Sequence, residues 1–440
     1  MTHIYLPMEI YNREYWGKLA LASQLIELGH PVTIGHNHAV RREALQSQEP
    51  SVFYETKGKL SHTMEHLDLL RDRGVKLVGQ DEEAGISFSK FAEFKKWRPE
   101  VEGVGYFDAF FAWGQEDYEE FLKFGNSSNI FRTGSPRTLF WGEFGEKFFS
   151  SEIQKLRQKY GPYVLVITNT TSKNSIVSKR QTKGIMRSMN YDSSYFKLLK
   201  GREIWEEETY SRTLQAIERI LEESDLNVLI RPHPVENENA WRDVYKGNKR
   251  VNVNKSGGGT PMVLGAEGIV HAGSTLGLES VFHGKNTISL RGLIRSEESP
   301  MSANEFSANI DNLDQLVPAL SSGIKIKTQL AKMERLVTRW SDPEVLALQA
   351  EILLQTKKTR GESQSLLKSD IKQPSAISNI FRRVRYGKSP TQSLHSNKRP
   401  VIEQRTVSED FRKLQNNLNF QGRASILQIS ESTFRIIPLS

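Results

Sequence analysis

VLIRPHP, at Val228–Pro234, is a short apolar run that ends at a proline, the pattern of a buried parallel strand at its carboxyl end. GIVHAGSTLGLE, at Gly268–Glu279, repeats the design with an apolar strand, a turn of small residues and a helix. The 38 residues from His233 to His271 suit one βαβ unit with its crossover. The two stretches therefore predict a parallel α/β sheet in which both strands end at the carboxyl edge. Open sheets of this kind bind their ligands at that edge.

This edge is predicted to hold a phosphate-bearing ligand. Arg231 and His233 can form charge-assisted hydrogen bonds with a phosphate, or else merely finish the strand and pair with surface carboxylates. A small-residue turn at a helix N-terminus offers backbone N–H groups to the same anion, although Ser and Thr are also ordinary helix caps. The predicted ligand-binding residues are Arg231, His233, Pro234, His271, Gly273, Ser274, Thr275 and Glu279, with Asn169 and Thr170 from a polar loop after an earlier strand.

The composition is that of a globular enzyme. The chain has 440 residues, 37% of them hydrophobic and 25% charged, which is enough for two or three domains. It has no cysteine, which excludes disulfides, thiolate zinc sites and cysteine nucleophiles and fits a cytosolic protein. The first residues lack the features of a signal peptide, and no apolar run approaches the ~20 residues of a membrane helix.

The formal net charge of +8 is concentrated at the C-terminal end. From Lys357 onward, 16 Lys and Arg accompany 6 Asp and Glu, whereas residues 1–356 have 44 against 46. A body of almost no net charge gives no reason to expect nucleic acid as a partner. Because polar residues dominate after Lys357 and periodicity is lost, we expect residues 357–440 to be a basic, mostly disordered tail with a short helix at Ser408–Asn417. Such a tail either contacts an anionic membrane or is inert.

Strand and helix patterns alternate through the rest of the chain. A strand at His3–Leu6, an amphipathic helix ending before Gly29 and a strand at Val32–His36 form the opening βαβ of a doubly wound domain. A second domain begins with the apolar strand at Tyr163–Ile167. We therefore predict an α/β fold with two Rossmann-like domains facing a cleft, residues 1–145 and 146–356, the second closed by helices at its end.

The motifs resemble those of a known family. No GxGxxG follows the first strand, which argues against a dinucleotide oxidoreductase. The Arg-Pro-His-Pro at a strand end, followed by the strand and Gly-Ser-Thr-x-Gly-x-Glu, is similar to the bacterial surface-carbohydrate biosynthesis family. It also resembles the His-Pro-motif capsule Kdo transferases, polysialyltransferases and CDP-glycerol glycerophosphotransferases. Three further matches place the resemblance over about residues 3 to 300: Pro7, Glu9, Arg13 and Glu14; Asp81-Glu82-Glu83; and Gly134-Ser135-Pro136-Arg137. An aspartate expected after Pro136-Arg137 is replaced by Thr138-Leu139-Phe140.

The resemblance implies a GT-B-like glycosyltransferase of surface or capsular polysaccharide synthesis. Its donor is expected to be a nucleotide-activated sugar, a CMP-linked ulosonic acid such as Kdo, bound by the second domain with Glu279 on the ribose. The first domain is expected to bind a carbohydrate or lipid-linked acceptor, in the cytoplasm or at the inner face of the membrane. Alternatives are a UDP-N-acetylglucosamine 2-epimerase-like enzyme, a CDP-glycerol-type glycerophosphotransferase and a non-enzymatic assembly factor with a membrane-docking tail.

Acidic residues follow two predicted strands of the first domain. A carboxylate at such an edge can act as the general base on an acceptor hydroxyl, although a run of acids is more often a solvated loop. The candidates are Glu82, Glu83 and Asp81, with Glu9 and Glu14 as rivals after the first strand. No Asp-x-Asp occurs in the chain, so we expect a metal-independent enzyme and no cofactor.

Overall fold

The computed structural model describes residues 1–56, 64–83, 99–176, 193–296, 301–322, 329–356 and 401–439. The strands in these residues are β1 (His3–Met8), β2 (Val32–His36), β3 (Ser51–Glu55), β4 (Lys76–Gly79), β5 (Ala109–Ala112), β6 (Ile130–Arg132), β7 (Tyr163–Ile167), β8 (Asn227–Arg231), β9 (Val251–Val253), β10 (Gly268–His271), β11 (Thr287–Ser289), β12 (Ala308–Asn309), β13 (Ala424–Ser430) and β14 (Thr433–Pro438).

The α-helices of the same residues are α1 (Tyr11–Glu27), α2 (Asn37–Gln46), α3 (Met64–Asp72), α4 (Gln115–Phe121), α5 (Glu143–Phe148), α6 (Ser150–Tyr160), α7 (Thr171–Asn174), α8 (Ser193–Glu223), α9 (Glu238–Val244), α10 (Gly259–Gly265), α11 (Thr275–Phe282), α12 (Ser302–Phe306), α13 (Leu316–Ser322), α14 (Leu330–Leu336), α15 (Glu344–Gln355) and α16 (Gln404–Leu418). None of the described helices is long and apolar enough to cross a membrane.

The chain divides into two compact units, each built on a mainly parallel sheet. In the first unit, β1 to β6 lie in the order β2-β1-β3-β4-β5-β6 and are all parallel. The apolar residues of β1 and α1 are almost wholly buried, as the period of the sequence predicts. After α1 the chain turns at Gly29, whose φ of +79° is a left-handed conformation that glycine adopts without strain.

The second unit, whose described residues fall in Ser150–Lys325, carries the order β9-β8-β7-β10-β11-β12 with every neighbouring pair parallel. This is the strand order of a Rossmann fold. Aliphatic residues of β7, β8 and β10 are buried on both faces of the sheet, because helices cover both sides. The prediction of two Rossmann-like α/β domains is confirmed.

The C-terminal segment differs from the prediction. Residues 401–439 form α16 and a hairpin, and β14 pairs antiparallel with β2, so that β13 and β14 extend the first sheet. The disordered tail was therefore wrong for these residues, whereas the helix predicted at Ser408–Asn417 is present within α16. Residues 357–400, which carry 11 of the 16 basic residues of the segment, lie outside the described residues.

Two of the closing helices belong elsewhere than predicted. The prediction places them all in the second domain, and α13 does lie in the second unit, but α14 and α15 lie in the first unit. Gln349 of α15 is fully buried and donates from Nε2 to the Thr133 hydroxyl and the Gly134 carbonyl, both at 3.0 Å. The Tyr54 hydroxyl donates to its Oε1, also at 3.0 Å. A buried amide satisfied by such partners ties α15 to the carboxyl side of the first sheet.

Candidate functional site

The carboxyl edge of the second sheet contains a topological switch point. The chain runs from β7 outward to β8 and β9, and then returns to the other side of β7 with β10. At such a point the loops that follow β7 and β10 diverge and leave a crevice, which is where open α/β sheets bind ligands. The loops that meet at this edge begin at Thr168, Pro232 and Ala272.

Arg231 is the last residue of β8 and is partly buried at this edge. Its Nη2 donates to the Gly257 carbonyl at 3.0 Å, and its Nη1 lies 3.1 Å from Met262 Sδ. Burial lowers the pKa of the guanidinium to about 10, and the nearby Glu279 carboxylate opposes that shift. Arg231 therefore stays charged at neutral pH, with a guanidinium that the loop before α10 holds in place.

His233 follows in the loop after β8 and is partly exposed. Its Nδ1 accepts the Val235 N–H at 3.3 Å, so in the neutral ring Nε2 carries the proton. Pro234 is partly exposed in the same loop. The Nε2–H of the neutral His233 ring is therefore a hydrogen-bond donor at this edge, in addition to the guanidinium of Arg231.

The turn after β10 leads directly into α11. Gly273 has a φ of +118°, which only glycine adopts without strain. Ser274 caps the helix, its hydroxyl accepting the Leu276 N–H at 3.2 Å, and Thr275 is the first helical residue. The N-terminal end of α11 thus lies at the switch point and carries the positive end of the helix dipole.

Glu279 is buried one turn further along α11. Its Oε1 accepts the Thr260 hydroxyl at 2.5 Å and lies 3.8 Å from His283 Nε2. The carboxylate therefore links α11 to the start of α10, beside Arg231. The solvated surface position, one of the two alternatives for this residue, is wrong.

His271 lies at the end of β10, but it does not face a ligand as we predicted. Its ring is 1% exposed, Nδ1 accepts the Gly273 N–H at 2.9 Å, and Nε2 lies 2.8 Å from the Ser307 hydroxyl. A Cβ at Gly277 would lie 2.5 Å from the ring. Both nitrogens are used within the unit, so His271 shapes the turn at Gly273 and is not available to a ligand. Burial lowers its pKa to about 3.

The neutral state of His271 predicts acid sensitivity. In the unfolded chain a histidine titrates near 6.5, so as the pH falls from about 6.5 towards 3 the unfolded state takes up a proton that the folded state refuses. The second unit should lose about 2 kcal/mol of stability between pH 7 and pH 5 through this residue. Urea unfolding at both pH values measures the loss.

His271→Asn is the matched control, because its amide oxygen can still accept the Gly273 N–H but does not titrate. We expect this variant to be less stable than wild type at pH 7 yet to lose about 2 kcal/mol less on acidification. Equal losses in the two proteins would contradict the assignment.

Asn169 and Thr170 lie in the loop after β7, as predicted. Asn169 is partly exposed and its Oδ1 accepts from Arg202 at 3.4 Å. Thr170 is fully buried, and its N–H donates to Glu236 Oε1 at 2.6 Å. Asn169 therefore faces the edge more openly than Thr170, which fastens the loop.

Two parts of this site were missed. Glu236 is fully buried and accepts from the Thr168 hydroxyl at 2.6 Å and the Trp241 indole at 2.8 Å, in addition to Thr170. It joins the loops after β7 and β8, and no sequence pattern distinguishes it from a solvated glutamate. The run Gly257-Gly258-Gly259 precedes Thr260 beside Arg231, and three successive glycines are a signal that could have been recognised.

The first sheet also has a switch point, between β1 and β3, and its carboxyl edge carries the predicted acids. Glu14 is buried, and its two carboxylate oxygens accept the N–H groups of Glu9 at 2.8 Å and Ile10 at 3.2 Å. Arg13 donates to it at 2.8 Å. Glu14 therefore fixes the turn between β1 and α1, whereas Glu9 itself is partly exposed.

The three acids after β4 differ strongly from one another. Asp81 is 1% exposed and accepts the Glu83 N–H at 2.9 Å. Glu82 is buried, and its Oε1 lies 3.5 Å from Lys18 Nζ. Burial raises the pKa of the Glu82 carboxyl, and the charge of Lys18 opposes this rise. The side chain of Glu83 is 38% exposed and forms an ion pair with Arg13. Only Glu83 of the three presents its carboxylate to the outside of this unit.

No protein-family model and no curated protein matches the chain. Among solved structures it is similar to the UDP-GlcNAc 2-epimerase of Methanocaldococcus jannaschii in complex with UDP-GlcNAc and UDP, with 13% identity over 88% of this chain and 99% of that one, at a TM-score of 0.47. It is similar to a variant of the wall teichoic acid polymerase TagF, with 9% identity over 80% and 87%, at 0.49. It is also similar to Anabaena HepE in complex with UDP and glucose, with 12% identity over 81% and 100%, at 0.44.

Proposed function

We propose that the chain is a GT-B-type glycosyltransferase that uses a nucleotide-activated sugar, with the nucleotide phosphate bound at the carboxyl edge of the second sheet. The observation that carries the proposal is that Arg231 and the N-terminal end of α11 both lie at the switch point of a sheet with the Rossmann strand order. β8 and β10 lie on either side of β7, so these groups are separated by two strand spacings, about 10 Å. That distance suits one nucleotide phosphate group with its ribose.

The positive charges at this edge can stabilise the phosphate of a leaving nucleotide. Arg231 is a cation, His233 Nε2 is a donor, and the α11 dipole adds a partial positive charge. These groups would neutralise the leaving nucleotide without a metal ion. Glu279, beside Arg231, is proposed to accept a ribose hydroxyl in exchange for its bond from Thr260.

The chemistry we propose is a single group transfer. The acceptor hydroxyl gives its proton to a carboxylate oxygen of Glu83, and its oxygen bonds the anomeric carbon of the sugar. The bond from that carbon to the phosphate oxygen breaks, and its electron pair leaves with the nucleotide. Glu83 is favoured as the base over Glu82, Asp81 and Glu14 because those three are buried, and the partly exposed Glu9 is its rival.

We further propose a CMP-linked ulosonic acid such as Kdo as the donor and a carbohydrate or lipid-linked acceptor on the first unit, in surface or capsular polysaccharide synthesis. Support for this finer assignment comes from the Arg231–Pro234 and Gly273–Glu279 motifs and their resemblance to the surface-carbohydrate family.

Nucleotide binding can be tested without knowing the acceptor. We expect one member of a panel of CMP, UDP, CDP and their sugars to raise the melting temperature of the wild-type chain, because a ligand of the folded state stabilises it by mass action. Arg231→Ala and His233→Ala should each weaken binding by roughly 1.5–3 kcal/mol, the cost of one charge-assisted hydrogen bond.

Arg219→Ala is the matched control, since Arg219 pairs with Glu223 and Asp314 near the end of α8 that leads into the amino edge of β8. It should bind the nucleotide as wild type does. Wild-type affinity in both edge variants would exclude this site. Conversion of the donor sugar in the absence of any acceptor would instead indicate an epimerase.

A further inference from the structure

A buried lysine lies beneath the acids of the first unit. Lys18 is 3% exposed, on the face of α1 that packs against the sheet, four residues after Glu14. Its Nζ lies 3.5 Å from Glu82 Oε1 and 3.5 Å from the centroid of the Tyr54 ring. Neither Lys18 Nζ nor Glu82 Oε2 has a hydrogen-bond partner among the described residues.

Such a pair is costly to keep in a protein interior. Each ion loses its hydration, and the atoms without hydrogen bonds recover little of that loss. A hydrophobic pair of similar volume is often at least as stable. A buried ion pair with unused hydrogen-bonding capacity therefore calls for an explanation other than stability.

The neighbours of the pair form one charged cluster. Arg13 bonds both Glu14 and Glu83, and its charge also acts on Glu82. Arg137 donates to the Glu82 carbonyl at 3.5 Å, and Asp81 accepts the Glu83 N–H at 2.9 Å. The cluster is completed by Lys18. The neighbouring Glu55 is paired with Arg41 at 2.6 Å, so this pair adds no net charge.

The charge balance of the cluster is informative. Within the described residues, three cations (Arg13, Lys18 and Arg137) accompany four carboxylates (Glu14, Asp81, Glu82 and Glu83), a formal net charge of −1. The Asp117 carboxyl, which interacts with Asp81, adds no full charge at neutral pH because burial raises its pKa to about 8. Uptake of one proton makes the cluster neutral. Since Glu83 is the exposed acid of the set, that proton can be exchanged at Glu83 with a bound hydroxyl.

We propose that Lys18 is a positioning residue of this site, whose buried ammonium balances the charge of Glu82 so that Glu83 alone exchanges the proton of the acceptor hydroxyl. This inference rests on the proposed transfer reaction for its readout, and on the contacts of Lys18 for its geometry. Burial raises the pKa of Glu82 and lowers that of Lys18, so each group depends on the other for its charge.

Removing the ammonium should shift the pH dependence of the reaction. In Lys18→Met the cluster has a formal charge of −2, which favours protonation of its carboxylates. The acidic limb of the pH profile of turnover should therefore move upward by about one unit or more, while the KM for the donor stays unchanged.

The double variant Lys18→Met/Glu82→Gln is the matched control. It removes one cation and one carboxylate, so the cluster returns to −1 and the acidic limb should return to its wild-type position. A merely structural role predicts another result: turnover of Lys18→Met falls in proportion to the loss of folded protein, and the limb does not move. That result would overturn the proposal.

A second readout does not need turnover. In protein labelled with carbon-13 at the glutamate carboxyls, the Glu82 signal can be assigned with Glu82→Gln and followed against pH. We expect its midpoint to lie higher in Lys18→Met than in wild type, and an unmoved midpoint would overturn the role of Lys18. Absence of transfer by the wild-type chain with every sugar nucleotide, combined with a moved midpoint, would refute the proposed function but not the control of Glu82 by Lys18.

Discussion

Truncation after Pro400 is expected to abolish folding of the first unit. The removed segment buries seven hydrophobic side chains: Ile402, Val407, Phe411, Leu414, Ile426, Phe434 and Ile436. At ~1.5–3 kcal/mol for each buried side chain, their burial contributes roughly 10–20 kcal/mol. That is comparable to, or larger than, the ~5–15 kcal/mol by which a whole domain is usually stable. Circular dichroism on heating should show that the transition of the first unit is lost.

The second unit supplies the internal control for the truncation. None of its described residues lies in the removed segment. Its unfolding transition and its nucleotide-dependent stabilisation should therefore survive truncation. A truncated chain that keeps two transitions at wild-type temperatures would show that α16 and the hairpin are dispensable.

A matched pair of point variants tests the same packing without truncation. Phe434 of β14 is 1% exposed, and Phe434→Ala should cost ~3–5 kcal/mol, as removal of a buried aromatic ring usually does. Leu427 of β13 is 47% exposed, and Leu427→Ala should stay within about 0.5 kcal/mol of wild type. Equal effects in the two variants would contradict the register of the hairpin.

The course of the C-terminal segment shows where sequence patterns stop being informative. Val407, Phe411 and Leu414 lie on one face of α16, a spacing that is typical of an amphipathic helix and visible within a short segment of sequence. β14, by contrast, pairs with β2 about 400 residues earlier in the chain. The residues around β14 in the sequence do not indicate that it pairs with β2, because strand pairing depends on tertiary contacts. Local polarity therefore suggested disorder where the protein has a sheet edge.

In the candidate sites, too, some features could be predicted from the sequence and others could not. Parallel strands bring their carboxyl ends to one edge, so sequence alone was sufficient to place Arg231 and the Gly273–Thr275 turn at the same edge. The single βαβ unit predicted between them was wrong, because β9 intervenes in the chain and β7 lies between β8 and β10 in the sheet. His233 and His271 look equivalent in sequence, since both follow apolar strands. Their difference is burial: the ring of His271 is enclosed between Gly277 and Ser307, whereas His233 is partly exposed. Burial depends on neighbours distant in sequence, which one sequence does not reveal.

Glu83→Gln is expected to abolish most turnover while donor affinity stays at its wild-type value. The amide keeps the size of the side chain but cannot accept the proton of the acceptor hydroxyl. Loss of a general base usually costs 10²–10⁴-fold in rate. Because Glu83 is partly exposed, the change leaves no carboxylate or ammonium fully buried without a partner, and the melting temperature should change little. Single-turnover rates and nucleotide titrations on the same preparations measure both quantities.

Glu9→Gln and Glu82→Gln are the comparisons that make this test specific. Glu9 is partly exposed at the same edge, so Glu9→Gln should retain activity if Glu83 is the base. Glu82→Gln leaves Lys18 buried without its partner carboxylate, which should cost ~3–5 kcal/mol of stability. Its loss of turnover should therefore follow the loss of folded protein and be partly restored by adding Lys18→Met. If Glu83→Gln stays active and Glu9→Gln does not, the base is Glu9, and the cluster around Arg13 serves only to hold the turn after β1.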